Sequence, residues 1–545
     1  MSLVKRIWRV LRKPQVIWKE LVLRLQVLCF GIRYHFLKQC FSNTDPSRKV
    51  LIVSLTDNPA YAKWEGMLLI ALRQKKCTPV VLTEKKYRNA QRTFRMFGVT
   101  EFIYLEDLLD ATEGEVDLQS LEELLAGEVN FKSLLDFAYR NIDSGRSALS
   151  TLVRKMRDTS LAFEDPAMRS MLLDTFTLSM RIVHAAEKLF AEEKFEAILF
   201  HEKGYTPFGE FFHASVNAGV NTVQYHYGQK PKSFVLKRYN KNNKTIHPSS
   251  LSEKSWSHVQ GLSWGQNDEE MFMNELRESY ESGTWFNRKA LLVDKSLRSP
   301  EEVRKELGID PHKKVAIIFS HVLWDASFFF GESLFDDYEH WLIETVKAAC
   351  ENDSVQWLIK LHPDYVWKMK DLGDGVHPRD IVALESGVGE LPDHIQVIPP
   401  ETSITTYSFF PVIDYCITVR GTVGLEAPCF SIPVFTAGTG RYAKLGITTD
   451  SSSKEEYLER MRTIQEYPKM SSEQTSLARL HAWAVFDKRL MLFDAFELTR
   501  RLKGYGLQTH VDIPLRSVRE VESAADLKDF ADWVIDSRDE DYLTI

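Results

Sequence analysis

The sequence predicts an α/β protein with two successive series of alternating strands and helices. Apolar, strand-like runs separated by helical stretches begin at Lys49, and a second series of the same kind begins near Pro300. Such alternation implies parallel sheets flanked by helices. The chain has 545 residues, which exceeds the size of one ordinary hydrophobic core, so at least two domains are expected.

The composition is that of a globular protein without a strong electrostatic bias. Hydrophobic residues make up 44% of the chain and charged residues 27%, and the formal net charge is −7. This lack of an overall basic field argues against nucleic acid as a partner. The 6 cysteines are scattered without a CxxC spacing, which disfavours disulfide and zinc frameworks and fits a reducing cytosol.

The N-terminal segment differs from the rest of the chain. Residues 1–40 contain nine lysines or arginines against one acidic residue, Glu20, and these alternate with Trp, Leu, Ile and Val. No uncharged run approaches the ~20 residues that span a bilayer, and no secretion signal is evident. A basic amphipathic helix over 1–45 at an anionic membrane surface is expected; a helix packed on the body of the protein is the alternative.

The first strand–helix series is expected to form a domain over 46–300 with a helical insertion. Its strands are predicted at 50–55, 79–82, 101–105, 197–200 and 220–226. Ligands of open α/β sheets bind at the carboxyl ends of strands. His201 and Glu202 directly follow one strand and His226 ends another, so these side chains fall where substrate chemistry is expected. The passage to the next domain is placed within 260–305.

The second series is expected to form a domain over 301–480. Its strands are predicted at 314–319, 355–360, 395–398 and 414–419. A helix over 481–505 is predicted to return toward the first domain, and the charged residues 506–545 are expected to form a peripheral tail. This tail contains Asp539-Glu-Asp541, the one Asp-x-Asp of the kind that holds a metal beside a nucleotide. It is interpreted as a solvated acidic end, and metal chemistry is not expected.

Two motifs of the second domain suggest contacts with a phosphate or a sugar. In Lys360-Leu-His-Pro363 a histidine at a strand end can donate to a phosphate or ribose hydroxyl, although a histidine satisfied in its loop is the commoner case. In Arg420-Gly-Thr-Val-Gly-Leu-Glu426, Thr422 is predicted to cap a helix. The amides that follow would face an oxygen ligand, and the glutamate would accept from sugar hydroxyls or favour the helix N-terminus.

A third motif, Ala437-Gly-Thr-Gly-Arg-Tyr442, begins like a dinucleotide-binding fingerprint. That fingerprint should open a long helix, but Gly446 follows almost at once, so a Rossmann cofactor is excluded. The stretch is instead expected to be a loop that brings Arg441 and Tyr442 to a ligand. Acid–base chemistry is expected from carboxylates and imidazoles near strand ends. The candidates are His201, Glu202, Glu210, His226, His321 and Asp325.

In this order and spacing, the motifs resemble the donor half of bacterial capsule-polysaccharide glycosyltransferases, nearest to the capsule β-Kdo transferases of GT-B fold. The stretches that carry the resemblance, which covers roughly residues 190–460, are 247–250, 320–325, 360–363, 420–427, 438–442 and 446–448. The resemblance implies two Rossmann-like domains facing across a cleft, with a nucleotide sugar held by the second domain and no metal or resident cofactor. Pro428 and Ser431 depart from the family pattern, where an apolar helix former and a glycine are expected.

The resemblance implies that the nucleotide contacts come from the second domain and the catalytic groups from the cleft. The nucleotide-binding candidates are Lys360, His362, Arg420, Gly421, Thr422, Val423, Gly424, Glu426, Arg441 and Tyr442. The catalytic candidates are Glu202, Asp325, His226 and His201, with Glu202 preferred and Asp325 second.

Three hypotheses about function follow. The first is a glycosyltransferase that uses a nucleotide-activated sugar, CMP-Kdo favoured, to extend a lipid-linked or oligosaccharide acceptor of a bacterial surface polysaccharide. It would act at the inner face of the cytoplasmic membrane, beside other capsule-assembly proteins. The second is a nucleotide-sugar epimerase or a polyol-phosphate transferase on the same fold. The third is a non-catalytic partner in polysaccharide export or assembly.

Overall fold

The computed structural model describes residues 14–285, 296–368, 377–503 and 506–544. The strands are β1 (Asp45–Val53), β2 (Cys77–Thr83), β3 (Glu101–Tyr104), β4 (Ala197–Phe200), β5 (Thr222–Tyr227), β6 (Ser233–Tyr239), β7 (Lys314–Phe319), β8 (Val355–Lys360), β9 (Ile395–Ile398), β10 (Tyr415–Thr418), β11 (Val434–Thr436), β12 (Thr449–Asp450), β13 (Leu490–Leu492), β14 (Glu497–Lys503) and β15 (Gly506–Asp512).

The helices connect these strands and cover the sheets. They are α1 (Pro14–Arg33), α2 (Pro59–Arg73), α3 (Arg88–Met96), α4 (Leu105–Asp110), α5 (Gln119–Ala126), α6 (Phe131–Leu135), α7 (Ser144–Met156), α8 (Pro166–Glu192), α9 (Phe208–Asn217), α10 (Glu253–Gln260), α11 (Gln266–Glu281), α12 (Pro300–Glu306), α13 (Tyr338–Cys350), α14 (Tyr365–Lys368), α15 (Arg379–Gly387), α16 (Thr406–Phe409), α17 (Val423–Glu426), α18 (Lys454–Arg462), α19 (Ser472–Trp483), α20 (Val518–Glu522) and α21 (Ala525–Ile535).

The first sheet has seven strands in the order β13-β6-β5-β4-β1-β2-β3. Strands β1 to β5 are mutually parallel, whereas β6 is antiparallel to both of its neighbours. The central strands are apolar runs buried on both faces, as expected where helices cover both sides of a sheet. The strand order reverses between β1 and β4, which makes that point the ligand-binding crevice of the sheet.

The second sheet has six parallel strands in the order β12-β11-β10-β7-β8-β9. This is the Rossmann order, and its switch point lies between β7 and β10. The loop after β4 contacts the loop after β7, because the Tyr205 hydroxyl donates to Asp325 Oδ1 at 2.8 Å. The carboxyl ends of the two sheets therefore face each other, and the predicted GT-B type fold class is confirmed.

The second domain begins earlier in the chain than the boundary predicted at residue 300. Helix α11 buries Phe272, Leu276 and Tyr280 against residues of the second domain, among them Leu425 and Tyr442. Helix α10 likewise packs on α19. These helices carry no strand signal, and their apolar faces find a partner only in tertiary packing. The polar, weakly periodic sequence between 229 and 300 did not reveal this.

The end of the chain returns to the first domain as the strand β13. Of the helix predicted over 481–505, only 481–488 are helical, with Ala484–Lys488 as a π-helix, and the rest is wrong. Helix α19 ends at Trp483, and β13 then pairs antiparallel with β6 at the edge of the first sheet. Apolar residues in this stretch fit both the helical and the strand period. The open edge of β6 offers backbone partners, and this pairing decides the conformation.

Residues 506–544 do not form a peripheral tail. Helix α21 buries Phe530 and Val534 in the core of the first domain. Asp541 is fully buried and accepts from Lys237 Nζ at 2.7 Å and from the amide of Ser252 at 2.6 Å, with Arg489 Nη2 at 3.3 Å. The acidic end therefore supplies the counter-charge for two buried cations, which is why this carboxylate leaves the solvent.

The N-terminal segment predicted over 1–45 lies partly outside the described residues. Helix α1 and the following turn are described, and Val27, Phe30 and Tyr34 are buried against the first domain. This side of the helix is packed on the body, as the alternative interpretation expected. None of the described helices is both long and apolar enough to cross a bilayer.

Candidate active site

A cavity of about 150 Å³ lies at the switch point of the second sheet. It is bounded by the residues that follow β7, β8 and β10, and by side chains from the end of α11 and the residues after it. Nine of the lining residues are Tyr280, Trp285, Ser320, His321, Lys360, His362, Gly421, Thr422 and Glu426. Two imidazoles, an ammonium group and one carboxylate therefore converge on a single crevice, where an open α/β sheet binds its ligand.

The glycine turn after β10 is held differently from the prediction. The Thr422 side chain makes no cap hydrogen bond; instead Thr418 Oγ1 accepts from the amide of Gly421 at 3.2 Å. The amide of Gly424 donates to the carbonyl of Gly421 at 3.0 Å and does not face the cavity. The buried Thr418 side chain at the end of the strand, and not Thr422, therefore accepts a hydrogen bond from the turn. The predicted cap at Thr422 is wrong.

Tyr442 supports this turn from beneath. Its side chain is fully buried, and its hydroxyl donates to the carbonyl of Gly421 at 2.9 Å. A Cβ on Gly424 would lie 2.1 Å from Cζ of the Tyr442 ring, so only glycine fits there. The structure thus gives Tyr442 a structural role in place of the predicted nucleotide contact.

Pro428 and Ser431 determine how the helix after the glycine turn ends. Helix α17 has a single turn and continues as a 3-10 helix from Ala427 to Phe430, with the proline in its first turn, where no amide is needed. Ser431 ends it in the left-handed region at φ 62°, the conformation that glycine usually provides. The helix is therefore short, and the chain turns sharply after the cavity.

Glu426 reaches the cavity in a fixed orientation. Its Oε1 accepts from the Tyr280 hydroxyl and from the Trp285 indole N–H, both at 2.8 Å. Both donors come from the segment that precedes the second sheet, so one carboxylate oxygen is anchored by two rigid aromatic side chains. This anchoring favours a carboxylate that positions a ligand hydroxyl.

The two histidines of the cavity have defined tautomers. Nδ1 of His362 accepts from the amide of Asp364 at 3.2 Å, which places the proton on Nε2. His321 stacks on Tyr338 with ring centroids 4.3 Å apart, and its Nε2 accepts from the amide of Val419 at 3.3 Å. Burial lowers the pKa of His321 well below its ordinary value, and His362 and the nearby arginines lower it further. His321 is therefore neutral near pH 7.

The two predicted arginines have different surroundings. Arg420 donates to the carbonyls of Phe330 and Glu332 and to the Ser333 hydroxyl, so it fastens the loop 330–333 and does not reach into the cavity. Arg441 forms no ion pair with any carboxylate in the described ranges, and its Nε is buried without a partner. Such a guanidinium is suited to receive an anionic ligand.

At the switch point of the first sheet, a buried carboxylate lies beside a histidine. Glu65 of α2 is fully buried and accepts from Ser54 Oγ at 2.6 Å and from the Tyr225 hydroxyl at 2.9 Å. Its Oε1 is 3.6 Å from Nδ1 of His201, whose side chain is 20% exposed. Burial raises the pKa of Glu65 to about 7, although Ser54 and Tyr225 lower it in part, and burial lowers the pKa of His201 to about 4.

Glu202 and Asp325, the two carboxylates preferred as catalytic groups from the sequence, already have partners within the protein. Glu202 Oε1 accepts from the amides of Lys203 and Gly204 at 2.7 and 3.0 Å, and burial raises its pKa. Asp325 is ion-paired with Lys368 and accepts from Tyr205. Burial tends to raise the pKa of Asp325, but Lys368 and Arg154 outweigh it, so the pKa is lowered. Asp325 thus joins the domains as a weak base.

Two further candidates also serve the structure. His226 uses both ring nitrogens, because Nδ1 donates to the carbonyl of Tyr227 at 2.8 Å and Nε2 lies 3.2 Å from Ser249 Oγ. Glu210 is fully buried and accepts from Ser179 and Thr206. His226 lies near the end of β5 and Glu210 in the first turn of α9, and the partners named for both side chains belong to the first domain.

Sequence reasoning missed Glu65, Tyr280 and Trp285. A lone glutamate in the apolar helix after β1 gives no periodic signal, and its burial without a cationic partner is visible only in three dimensions. The two aromatic residues stand in a polar segment that was assigned to the first domain. Among the described residues, no cluster of three or more His, Cys, Asp or Glu side chains is arranged to hold a metal ion.

Comparison with protein-family models finds no match, and none is found among curated proteins. Among solved structures, the chain is similar to UDP-GlcNAc 2-epimerase from Neisseria meningitidis bound to UDP-GlcNAc, at 12% identity, with 81% of this chain and 96% of that chain covered and a TM-score of 0.27. It is also similar to the Thermosulfurimonas dismutans KpsC β-Kdo 2,4 transferase, at 11% identity, 62% and 94% coverage and a TM-score of 0.32. A third similar structure is the β-Kdo 2,7 transferase of Thermosulfurimonas dismutans KpsC. The identity is 16%, 64% of this chain and 89% of that chain are covered, and the TM-score is 0.30. These similarities assign no role to any residue.

Proposed function

We propose that the protein is a glycosyltransferase that moves a sugar from a nucleotide-activated donor, CMP-Kdo favoured, to a growing bacterial capsule or surface polysaccharide. The observation that carries this proposal is the pairing of two facing sites. The second domain offers an anion-binding crevice with a fixed carboxylate, and the first offers an acid–base pair at the matching point of its sheet. Transfer of a sugar between two substrates needs both.

The donor is held by the second domain. Lys360 and Nε2–H of His362 contact the phosphate, and Glu426 accepts from the ribose hydroxyls with the orientation that Tyr280 and Trp285 give it. Arg441 takes the remaining negative charge of the donor. These cationic and N–H groups balance the charge that develops on the leaving phosphate, so no resident cofactor or metal is part of the proposal.

The acceptor hydroxyl is activated by the first domain. His201 is neutral near pH 7, because burial lowers its pKa to about 4, and it can therefore take the proton of the hydroxyl. The carboxylate of Glu65 faces Nδ1 and stabilises the imidazolium that forms. Glu202, on the same loop, remains a second candidate.

The proposed setting is the inner face of the cytoplasmic membrane. The acceptor is a lipid-linked or oligosaccharide chain, and other capsule-assembly proteins act nearby. The basic residues of 1–40 favour this setting because they are attracted to anionic lipid.

The test is a thermal-stabilisation screen with CMP, UDP and GDP, followed by turnover assays with the sugar nucleotides of any nucleotide that binds. A ligand at 100 times its dissociation constant adds about 2.7 kcal/mol, and His362→Ala should abolish this stabilisation. Absence of binding by all three nucleotides would support the non-catalytic alternative. Conversion of the donor without acceptor, followed by NMR, would identify an epimerase instead.

A further inference from the structure

Helix α1 lies across helix α3 at the outer edge of the first sheet. Val27 and Phe30 are buried on its inner side, and Gly31 permits a close crossing, since a Cβ there would lie 2.7 Å from Cε of Met96. Helix α3 connects β2 with the edge strand β3, so this crossing lies away from the β1/β4 switch point. The outer surface of the two helices is consequently separate from the candidate active site.

The outer side of α1 carries a continuous apolar ridge. The exposed fractions of Leu21, Leu25, Leu28 and Ile32 are 47%, 52%, 57% and 70%. At about 100° per residue these four positions fall within an arc of about 60°, so they form one line of large apolar side chains. Such a line is more than the scattered surface hydrophobics of an ordinary globular protein, and it marks a contact surface.

A basic cavity of about 570 Å³ opens beside this ridge. Leu28 lines both, and the other lining residues include Arg24, Lys38, Arg92 and Arg95 but no carboxylate. On α3, Arg88, Arg92 and Arg95 are exposed at the spacing of one helix face. Within the described ranges, Lys38, Arg92 and Arg95 make no ion pair with a carboxylate. Lys38, Arg92 and Arg95 therefore make the cavity suited to bind an anion.

We propose that this face docks on a bilayer that contains anionic phospholipid, with a lipid phosphate in the basic cavity and the Leu21–Ile32 ridge at the acyl boundary. The two features adjoin along α1 and share Leu28, so basic and apolar groups lie next to each other, as an interfacial helix needs. A soluble anion would use the cavity but not the ridge. A second copy of the chain would bring two cationic surfaces together, which costs free energy.

The proposal is tested by sedimentation of the full-length protein with vesicles. Vesicles of phosphatidylcholine alone are compared with equal mixtures of phosphatidylcholine and phosphatidylglycerol. We expect binding to the mixture that weakens with salt, because exposed charges are screened. Each cation near an anionic surface contributes about fivefold to partitioning, so Arg92→Gln/Arg95→Gln should lower it by about 30-fold. Leu25→Ser/Leu28→Ser should abolish the bound fraction by removing the ridge.

The matched control is Lys132→Gln/Lys305→Gln, which removes two exposed cations elsewhere and should sediment like the unmodified protein. Sedimentation velocity without vesicles shows whether the variants keep the compactness and the oligomeric state of the unmodified protein. Equal binding to both vesicle types, or unchanged binding of the arginine variant, would overturn the proposal. A dimer lost in the leucine variant would assign the ridge to a second copy. Displacement by inorganic phosphate with the leucine variant unaffected would assign the cavity to a free anion.

Discussion

The two Rossmann-like domains share a strand order, but they differ in chemistry where that order reverses. The first switch point holds Glu65 and His201, a buried acid and a neutral base whose pKa values are displaced by burial. The second holds the imidazoles of His321 and His362 and the fixed carboxylate of Glu426. In the function proposed above, one fold, used twice, would supply acid–base chemistry on one side of the cleft and anion recognition on the other.

The domains also differ in which parts of the chain form their sheets. The sheet of the second domain uses strands between Lys314 and Asp450 only. The sheet of the first domain begins at Asp45 and needs β13, near residue 490, at its edge. Its buried Lys237 is neutralised by Asp541, near the end of the described chain. The sheet around the second switch point is therefore built from one continuous stretch of sequence, whereas the sheet around the first is completed by distant residues.

The largest expected effect is on catalysis at the first switch point. His201→Ala removes the proposed base and should lower kcat by about 10²–10⁴-fold while the donor dissociation constant stays unchanged, because the donor binds in the other domain. Steady-state kinetics and donor titration measure both. His213→Ala is the matched control, since Nδ1 of His213 is 4.0 Å from Asp143 but outside the switch point. Intact kcat with lost donor affinity would contradict the division between the domains.

The second effect concerns the distant support of the first domain. Asp541→Asn leaves Lys237 and Arg489 buried without a counter-charge and should lower the free energy of unfolding by about 3–5 kcal/mol in urea denaturation. Burial tends to raise the pKa of Asp541, but the two cations outweigh it and hold the pKa well below its usual range. This stabilisation is therefore present at neutral pH and lost as the pH falls.

Asp539→Asn is the control for that measurement. Asp539 pairs with Lys254, and both side chains are more than half exposed, so the expected change is below about 1 kcal/mol. Equal effects of the two substitutions would mean that the end of the chain does not stabilise the first domain.

The third effect separates stability from activity at Glu65. The folded-state pKa of about 7 lies above the ordinary value of 4.5, so the folded protein keeps a proton that the unfolded chain has lost. The contribution of this proton to the free energy of unfolding is fully present below the unfolded pKa. It is lost as the pH rises through about 7, and the total loss is about 3 kcal/mol. Glu65→Gln should therefore gain about 3 kcal/mol relative to the unmodified protein between pH 4.5 and pH 8.

The same substitution should reduce activity. Without a carboxylate at position 65, the imidazolium of His201 loses its partner, and the rise of kcat with pH near 7 should flatten. Unfolding at several pH values and a kcat–pH profile provide the two readouts. A variant that is more stable and equally active would show that Glu65 has no part in catalysis.

The fourth effect is on donor binding at the second switch point. Arg441→Met removes a guanidinium without a carboxylate partner in the described ranges and should raise the donor KM by about 10–100-fold, the value of a hydrogen bond to a charged group. The control is Lys444→Met, which makes the same charge change at an exposed position of the same loop. A fall in kcat with unchanged KM would contradict this prediction and would indicate that Arg441 acts in catalysis and not in donor binding.

The smallest effect tests what holds the glycine turn. Thr422→Val should change the free energy of unfolding by less than about 0.5 kcal/mol, because its hydroxyl caps nothing. Thr418→Val removes the acceptor of the Gly421 amide and should cost about 1 kcal/mol or more. If urea denaturation showed a larger loss for Thr422→Val than for Thr418→Val, Thr422 would be the residue that caps the turn.

The sequence predicted the second switch point better than the first. Arg420 to Glu426 are consecutive and directly follow an apolar strand, so their proximity needed no tertiary information. The cap at Thr422 failed because Thr418, one turn earlier, binds the same segment. The α/β class followed from strand–helix alternation, whereas the GT-B arrangement of two facing domains was implied by the resemblance to capsule-polysaccharide glycosyltransferases.

The first switch point could not be predicted from local pattern. Glu65 stands in an otherwise apolar helix, and only the approach of Ser54, Tyr225 and His201 gives it chemistry. The acidic end was misassigned for the same reason. Composition favours solvent for Asp541, but its partner Lys237 lies 304 positions earlier and could not be inferred from spacing.

The pairing of Lys237 with Asp541 has a consequence for synthesis of the chain. Ribosomes add about 5–20 residues per second, so about 15–60 s separate the appearance of the lysine from that of its counter-ion 304 positions later. During this interval the second domain can fold, since its strands lie between the two. Until β13 is synthesised, β6 remains an unpaired edge of the first sheet, where strands of other chains can pair wrongly. The domain that is made first is completed last.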